Sequence, residues 1–426
     1  MKCYNLGVIK QLSDYLVNFD LNTVNYSPQG AFLFNGYTFP KTKIENIKFK
    51  DKIYPKYTNE FWTAKQRQSN AIHEISYRAC FKPQLPKFFI ELLTKEGDFV
   101  YDPFSGRGTT AIAAGILSRN VISNDINPLS KILTKARFFI PNIEQVAKRL
   151  SEIDFKYNKR ANIDLSMFYH PKTESELVSL RDYLIKKNKK SDSIDNWIRM
   201  VATNRLTGHS PGFFSVYTLP PNQAVSQESQ KKINKKRNQR PEYRNIKEII
   251  LLKTQSLIKD LSEQEIKNLK KTGDNGLFLS EDSRKTKKID DNSVQLIVTS
   301  PPFLDIVQYS KDNWLRCWFN NLDTDKIEKN ITMTKDIADW ARIMKDVFKE
   351  LFRVTKNGGW VAFEVGEVRN GKIKLDEEII PLGVSAGFKC VGIMVNKQVF
   401  TKTSNIWGVS NNKKGTNSNR IVLLTK

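Results

Sequence analysis

Two short runs of this chain bring together residue types that can do chemistry: Asp102-Pro-Phe-Ser-Gly-Arg-Gly-Thr-Thr110 and Thr299-Ser-Pro-Pro-Phe303. In the first, Gly106 and Gly108 permit a tight turn and let the main chain come close to a ligand. No Gly-Lys-Ser/Thr follows, so the loop is not a triphosphate cradle, and its spacing is not the dinucleotide GxGxxG. The carboxylate of Asp102 suits a cationic ligand group, which a pyrophosphate site would avoid. Asp125 is placed to accept hydrogen bonds from ribose hydroxyls, and Asp282 to accept one from an adenine amino group. In the second run, Pro301 and Pro302 stiffen the backbone, so the carbonyls of Ser300 and Pro301 point in fixed directions. Such a loop can accept hydrogen bonds from an amino group and aim its nitrogen lone pair at a methyl donor. Phe303 offers a face on which an extruded base stacks. In isolation, an ordinary Ser-Pro-Pro turn before a buried phenylalanine would look the same. Its occurrence beside the glycine loop in one chain separates the two readings.

Each run needs an element to hold it. Pro86-Lys-Phe-Phe-Ile-Glu-Leu-Leu-Thr94 has a helical apolar stripe, and Asp98–Tyr101 reads as a short buried strand ahead of the glycine loop. Ala111–Ser118 is small and apolar, which suits a helix packed closely on a sheet. Asn120–Ser123 is a second strand, ending at Asn124-Asp125. Strand, glycine loop, helix and strand make a βαβ unit with parallel pairing. The alternation stops at about 141 and returns with strands at Leu277–Leu279, Val294–Val298 and Trp360–Phe363, the last behind a helix and the turn Lys356-Asn-Gly-Gly359. The expected organisation is therefore an irregular N-terminal lead-in over 1–75, an α/β catalytic domain over 76–140 and 276–426, and an inserted region over 141–275. No repeat of fixed period is present.

The two runs together resemble the DNA amino-methyltransferases, which carry a DPFxGxGT cofactor loop and an [SDN]PP[YF] catalytic loop. Phe81-Lys-Pro-Gln-Leu-Pro86 looks like the segment that precedes the cofactor loop in that family and packs against the methionine half of the cofactor. The resemblance covers about 78–140 and 276–370. It implies an α/β fold: a Rossmann-like methyltransferase sheet with helices on both faces, interrupted by a large, mostly helical, basic insertion. It implies S-adenosylmethionine as cofactor, surrounded by Asp102, Phe104, Gly106, Gly108, Asp125 and Asp282. Ser300, Pro301, Pro302 and Phe303 would surround a flipped base in double-stranded DNA. Serine at the first catalytic position is typical of the cytosine-N4 members, while aspartate or asparagine is usual for adenine-N6. The family also implies a place in a restriction–modification system, with a cognate restriction endonuclease as candidate partner. In its common permutations the target-recognition region does not usually fall between the second and third strands, so the insertion is assigned to DNA by position and charge. The reaction is a direct displacement driven by alignment. It needs no covalent intermediate, unlike that of the cytosine ring-carbon enzymes with their Pro-Cys loop, and no cysteine here follows a proline.

Composition bears on the partner. Lysine and arginine total 69 against 45 acids, a net charge of +24, which favours a polyanion through counterion release. From Lys231 to Lys247, KKINKKRNQRPEYRNIK holds eight basic residues against one glutamate. Lys231, Lys232, Lys235, Lys236, Arg237, Arg240 and Arg244 are the candidate DNA contacts, with interleaved Asn and Gln able to reach base edges. Thr207–Phe214 is a glycine-hinged aromatic stretch suited to a clamping loop, and His209 is given no catalytic role. The four cysteines form no CxxC pair, so neither a zinc site nor a disulfide framework is indicated. No run approaches a membrane span and no leader is evident, so a soluble cytoplasmic, nucleoid-associated protein is expected. Adenine-N6 methylation on the same scaffold, methylation of a guanine amino group in RNA, and a DNA-binding protein with an inactive fold remain the competing functions.

Overall fold

The computed structural model describes residues 2–20, 41–49, 51–62, 69–77, 80–187, 190–220, 223–302, 309–331, 334, 336–368, 373–397 and 418–426. Its centre is a parallel sheet made of short apolar runs. Strand β3 (Phe99–Asp102) pairs with β4 (Asn120–Asn124), and β4 with β5 (Leu277–Leu279). On its other side β3 pairs with β6 (Val294–Thr299), which pairs with β7 (Thr355–Val365). Beyond β7 lie the antiparallel β11 (Ser418–Thr425), then β10 (Lys389–Lys397), then a hairpin of β2 (Lys52–Asn59) and β1 (Lys43–Phe49). The nine-stranded order is β1-β2-β10-β11-β7-β6-β3-β4-β5. A separate two-residue pair, β8 (Glu367–Val368) and β9 (Ile373–Lys374), follows β7. The chain leaves β3 toward β4 on one side and returns through β6 on the other. This switch point puts the C-terminal ends of β3, β4, β5 and β6 at one crevice, where ligands bind in open α/β sheets.

Helices cover both faces. On one face, α1 (Lys2–Val17), α2 (Gln84–Leu93), α3 (Thr109–Ile116) and α4 (Pro128–Lys135) share an apolar cluster with α5 (Ile143–Glu152), α6 (Pro171–Lys187) and α7 (Ser193–Arg205); α8 (Gln227–Arg237) stays outside it, and α9 (Ile246–Ile258) and α10 (Glu263–Asp274) join it again. Behind β6 come α11 (Tyr309–Phe319) and α12 (Thr324–Asn330), with α11 packed into the same cluster. The opposite face is covered by α13 (Ile337–Val354) and α14 (Leu375–Ser385), whose Phe348, Leu351 and Ile379 meet Val361, Phe363 and Val422. Close packing of α3 is visible at Gly115, where an added Cβ would lie 2.5 Å from Phe138. From the 141–275 stretch, Trp197, Met200 and Ile250 belong to the cluster that holds Val100 and Ile112.

Two sequence expectations change. The N-terminal stretch expected to be irregular contains α1 and the β1–β2 hairpin, and β2 extends the main sheet by pairing in parallel with β10. Lysines on an edge hairpin blur its alternation, and its partner strand lies more than 300 residues away, out of reach of any local pattern. The stretch Lys356–Gly359 is not a turn ahead of a strand but part of β7, where the register against β6 slips. Gly358 takes a φ of 81° there. Among the described residues no helix is long and apolar enough to cross a membrane.

Candidate active site

The crevice holds a pocket lined on one side by Phe104, Gly106, Asp125 and Asp282, and on the other by Ser300, Pro301 and Pro302. Both motif loops therefore open into one cavity. The glycine loop is tied to the end of β4: the Gly106 amide donates to Asp125 Oδ2 at 2.8 Å, and the Asn127 amide donates to Oδ1 at 2.9 Å. Gly106 has φ 51°, where a side chain would be strained. Asn127 also caps α4, its side chain accepting from the Leu129 amide. Burial raises the Asp125 carboxyl to about 6, against the pull of the Asn127 and Gly106 amides.

Asp102 does not line the pocket. It is 1% exposed, and its Oδ1 accepts from the Thr299 hydroxyl at 2.6 Å and from the Phe104 amide at 3.1 Å. Rather than facing a cationic ligand, its carboxylate ties the end of β3 to the end of β6. Burial pushes it up to about 7, opposed chiefly by the Thr299 hydroxyl. Gly108 is also set back from the cavity. At φ 76° it begins α3, and any Cβ there would overlap the Thr134 side chain, so its role is the close approach of helix and loop. Asp282 faces the pocket but engages Arg284, which donates from Nε to Oδ1 at 2.9 Å and from Nη2 to Oδ2 at 2.5 Å. That guanidinium holds its carboxyl below the ordinary range. Phe303 lies outside the described residues.

Other groups at the site were not anticipated. Glu364, buried on β7, accepts a hydrogen bond from Asn419 Nδ2 at 3.1 Å and feels the nearby Ser300 side chain. Burial raises its carboxyl despite both neighbours. A lone acid inside the apolar run Trp360-Val-Ala-Phe-Glu-Val365 was the available signal. Trp340 of α13 donates its indole N–H to the Pro302 carbonyl at 3.0 Å, which holds the Ser-Pro-Pro loop from the opposite face. Tyr77, Cys80 and Phe81 close the pocket over Gly106.

The basic run divides by environment. Lys232, Lys235, Lys236 and Arg240 are exposed. Lys231 ion-pairs with Asp164 at 3.5 Å, and Arg237 lies 3.8 Å over the Tyr217 ring. Arg244 is turned inward, donating to the carbonyls of Ser210 at 3.1 Å, Phe213 at 2.9 Å and Ser215. It holds the 207–218 loop together instead of presenting a free cation.

Residues 15–135 match the family model described as DNA methylase, covering both N6 and N4 types. A type II methyltransferase, M.BsoBI from Geobacillus stearothermophilus, is 25% identical over 316 residues, 67% of this chain and 60% of that protein. The type II methyltransferase M.MvaI from Kocuria varians is 29% identical over 126 residues, 29% of this chain and 25% of that one. The likeness to DNA methylases is carried by residues 15–135 and by the 316 residues aligned with M.BsoBI. The chain spans less than two thirds of the length of these relatives. The matched segment takes in the glycine loop and Asp125 and ends before the Ser-Pro-Pro loop. A solved methyltransferase from Methanosarcina mazei superposes with a TM-score of 0.31 at 11% identity, over 79% of this chain and 96% of that one. A DNA modification methylase from Thermus thermophilus reaches 0.22 at 21% identity, over 34% of this chain and 50% of that one. These are loose superpositions, and the strand order above rests on this chain alone.

Proposed function

We propose that this chain transfers the methyl group of S-adenosylmethionine to the exocyclic amino group of a base in double-stranded DNA, with cytosine N4 as the target. The observation that carries the reading is the single cavity shared by the glycine loop, Asp125 and Asp282 on one side and Ser300–Pro302 on the other. The cavity fits the cofactor: Asp125, already oriented by two loop amides, accepts from ribose hydroxyls, and Asp282 sits where an adenine amino group would reach. When bound, S-adenosylmethionine supplies an electrophilic methyl on a cationic sulfur. The rest of the work belongs to the chain. Ser300 lines the pocket near the buried Glu364, and a hydroxyl that donates to such a carboxylate keeps oxygen lone pairs to accept from an amine. The Pro302 carbonyl accepts from Trp340, which steadies the loop so that Ser300 and the Pro301 carbonyl orient the base. Cys80 lines the pocket, but burial pushes its thiol up, away from the thiolate a ring-carbon mechanism needs.

The inserted region 141–275 is assigned to DNA recognition through Lys232, Lys235, Lys236 and Arg240, and relatives named type II methyltransferases support a modification role beside an endonuclease. Expression in a methylation-free host, followed by nucleoside mass spectrometry, tests the reaction. N4-methylcytosine supports it, N6-methyladenine moves the chain to the adenine reading on the same scaffold, and 5-methylcytosine or unmodified DNA overturns the mechanism.

A further inference from the structure

The pocket wall over Gly106 is a strap whose described residues are 71–77, 80 and 81. A Cβ placed at Gly106 would touch Cys80 Sγ and the Tyr77 ring at 3.6 Å, so the strap rests directly on the glycine loop. Among its described residues, beyond a single turn at Ala71–His73, the strap has no helix or strand to satisfy its peptide groups, and these find partners elsewhere. Side chains from four elements supply them. Arg137 donates to the Ile72 carbonyl at 3.1 Å. Arg107, in the glycine loop itself, donates to the carbonyls of Ile75 at 3.1 Å and Phe81 at 3.2 Å. Arg316, on α11, donates to the Ser76 carbonyl at 3.0 Å, and Asn204, on α7, accepts from the Ser76 amide at 2.8 Å. Residue 76 is thus held from both sides, one position before Tyr77.

Arg316 is 5% exposed and does not line the pocket. Its other arm donates to Asn313 Oδ1 at 2.7 Å, which fixes the planar fork, and its guanidinium lies 6.0 Å from the Tyr77 ring centroid. Helix α11 follows the loop that carries Ser300–Pro302. We infer that Arg316 is a positioning residue. By pinning the Ser76 carbonyl it holds Tyr77, Cys80 and Phe81 against the end of the ligand that lies over Gly106, and links that wall to the helix behind the base loop. The inference rests on the proposal that the pocket takes S-adenosylmethionine. Sheet order decides which end of the ligand is concerned. Asp282 and Asp125 follow β5 and β4, while Gly106 follows β3, nearer to β6. A ligand whose nucleoside meets Asp282 and Asp125 turns its amino-acid half to the strap. Arg316 therefore governs affinity for the amino-acid half and not for the nucleoside.

Calorimetric titration with S-adenosylhomocysteine and with adenosine tests this on the wild type, Arg316→Met and Arg316→Lys. The Kd for S-adenosylhomocysteine is expected to rise about tenfold or more in the Met variant, from loss of a charged donor to a buried carbonyl. Adenosine affinity is expected to stay unchanged, and Lys to recover part of the loss, because it keeps a donor but not the fork. Equal weakening toward both ligands makes Arg316 a general support of the fold and overturns the inference. So does unchanged affinity for both. A folded wild type that binds neither ligand overturns the cofactor reading itself, and the positioning role with it. If Arg316→Met does not fold, Asn204→Ala, which frees the same peptide from the opposite side, is titrated with the same two ligands and judged by the same outcomes.

Discussion

Thr299→Val removes a hydroxyl at almost constant volume, from a place where a buried carboxylate depends on it. Thr299 and Asp102 are both buried, and the hydroxyl donates to Asp102 Oδ1 at 2.6 Å. Burial raises Asp102 from 3.8 to about 7. Between those values the folded chain holds a proton that the unfolded chain has released, so this group's contribution to stability falls as pH rises through the window and is level above it. Three pKa units correspond to about 4 kcal/mol between the protonated and ionised limits. Valine removes the strongest hydrogen bond to the ionised form, so the folded-state value climbs further and ionisation costs more. In the protonated form only a neutral hydrogen bond is lost, about 1 kcal/mol, whereas a charge-assisted one is worth about 1.5–3 kcal/mol. Urea unfolding of both proteins should therefore show a loss of about 1 kcal/mol near pH 5.5 and about 2–3 kcal/mol near pH 8.5. An equal loss at both pH values, or none at either, would refute Asp102 as a titrating clamp between the two loops.

Three further outcomes follow from the site and the insertion. Asp125, raised to about 6 by burial, must be ionised to accept ribose hydroxyls well, so cofactor affinity should increase as pH rises from about 5 to about 7; calorimetry across that range should show the rise for the wild type and a flat profile for Asp125→Asn. Neutralising the exposed Lys235, Lys236 and Arg240 to Gln should lower the slope of log DNA affinity against log salt by about 0.9 per lost phosphate contact, and an unchanged slope would place DNA contact elsewhere. Arg244→Met should instead lower the thermal midpoint while leaving the salt slope as it is, because Arg244 serves the carbonyls of the 207–218 loop.

The βαβ start, the glycine loop, the return strands and the Ser-Pro-Pro loop were legible in the sequence, because each rests on local rules: buried parallel strands are short apolar runs, and tight loops need glycine and proline. The types of residue at Asp125, Asp282 and Ser300 followed from their places at strand ends. What those side chains face was decided only in three dimensions. Asp102 and Thr299 are 197 residues apart, and only parallel pairing of β3 with β6 turns the aspartate away from the pocket and toward the hydroxyl. Glu364 reaches Ser300 because β7 lies beside β6. The N-terminal hairpin finds its sheet through β10, far along the chain. The basic run shows the same division. Its charge is a property of composition, but whether each cation faces solvent, an aromatic ring or a row of carbonyls depends on the neighbours the fold brings to it. The sequence alone determined the chemistry these residues offer. Tertiary structure decided where it points, because a side chain's partner is set by which strands and helices meet and not by its neighbours along the chain.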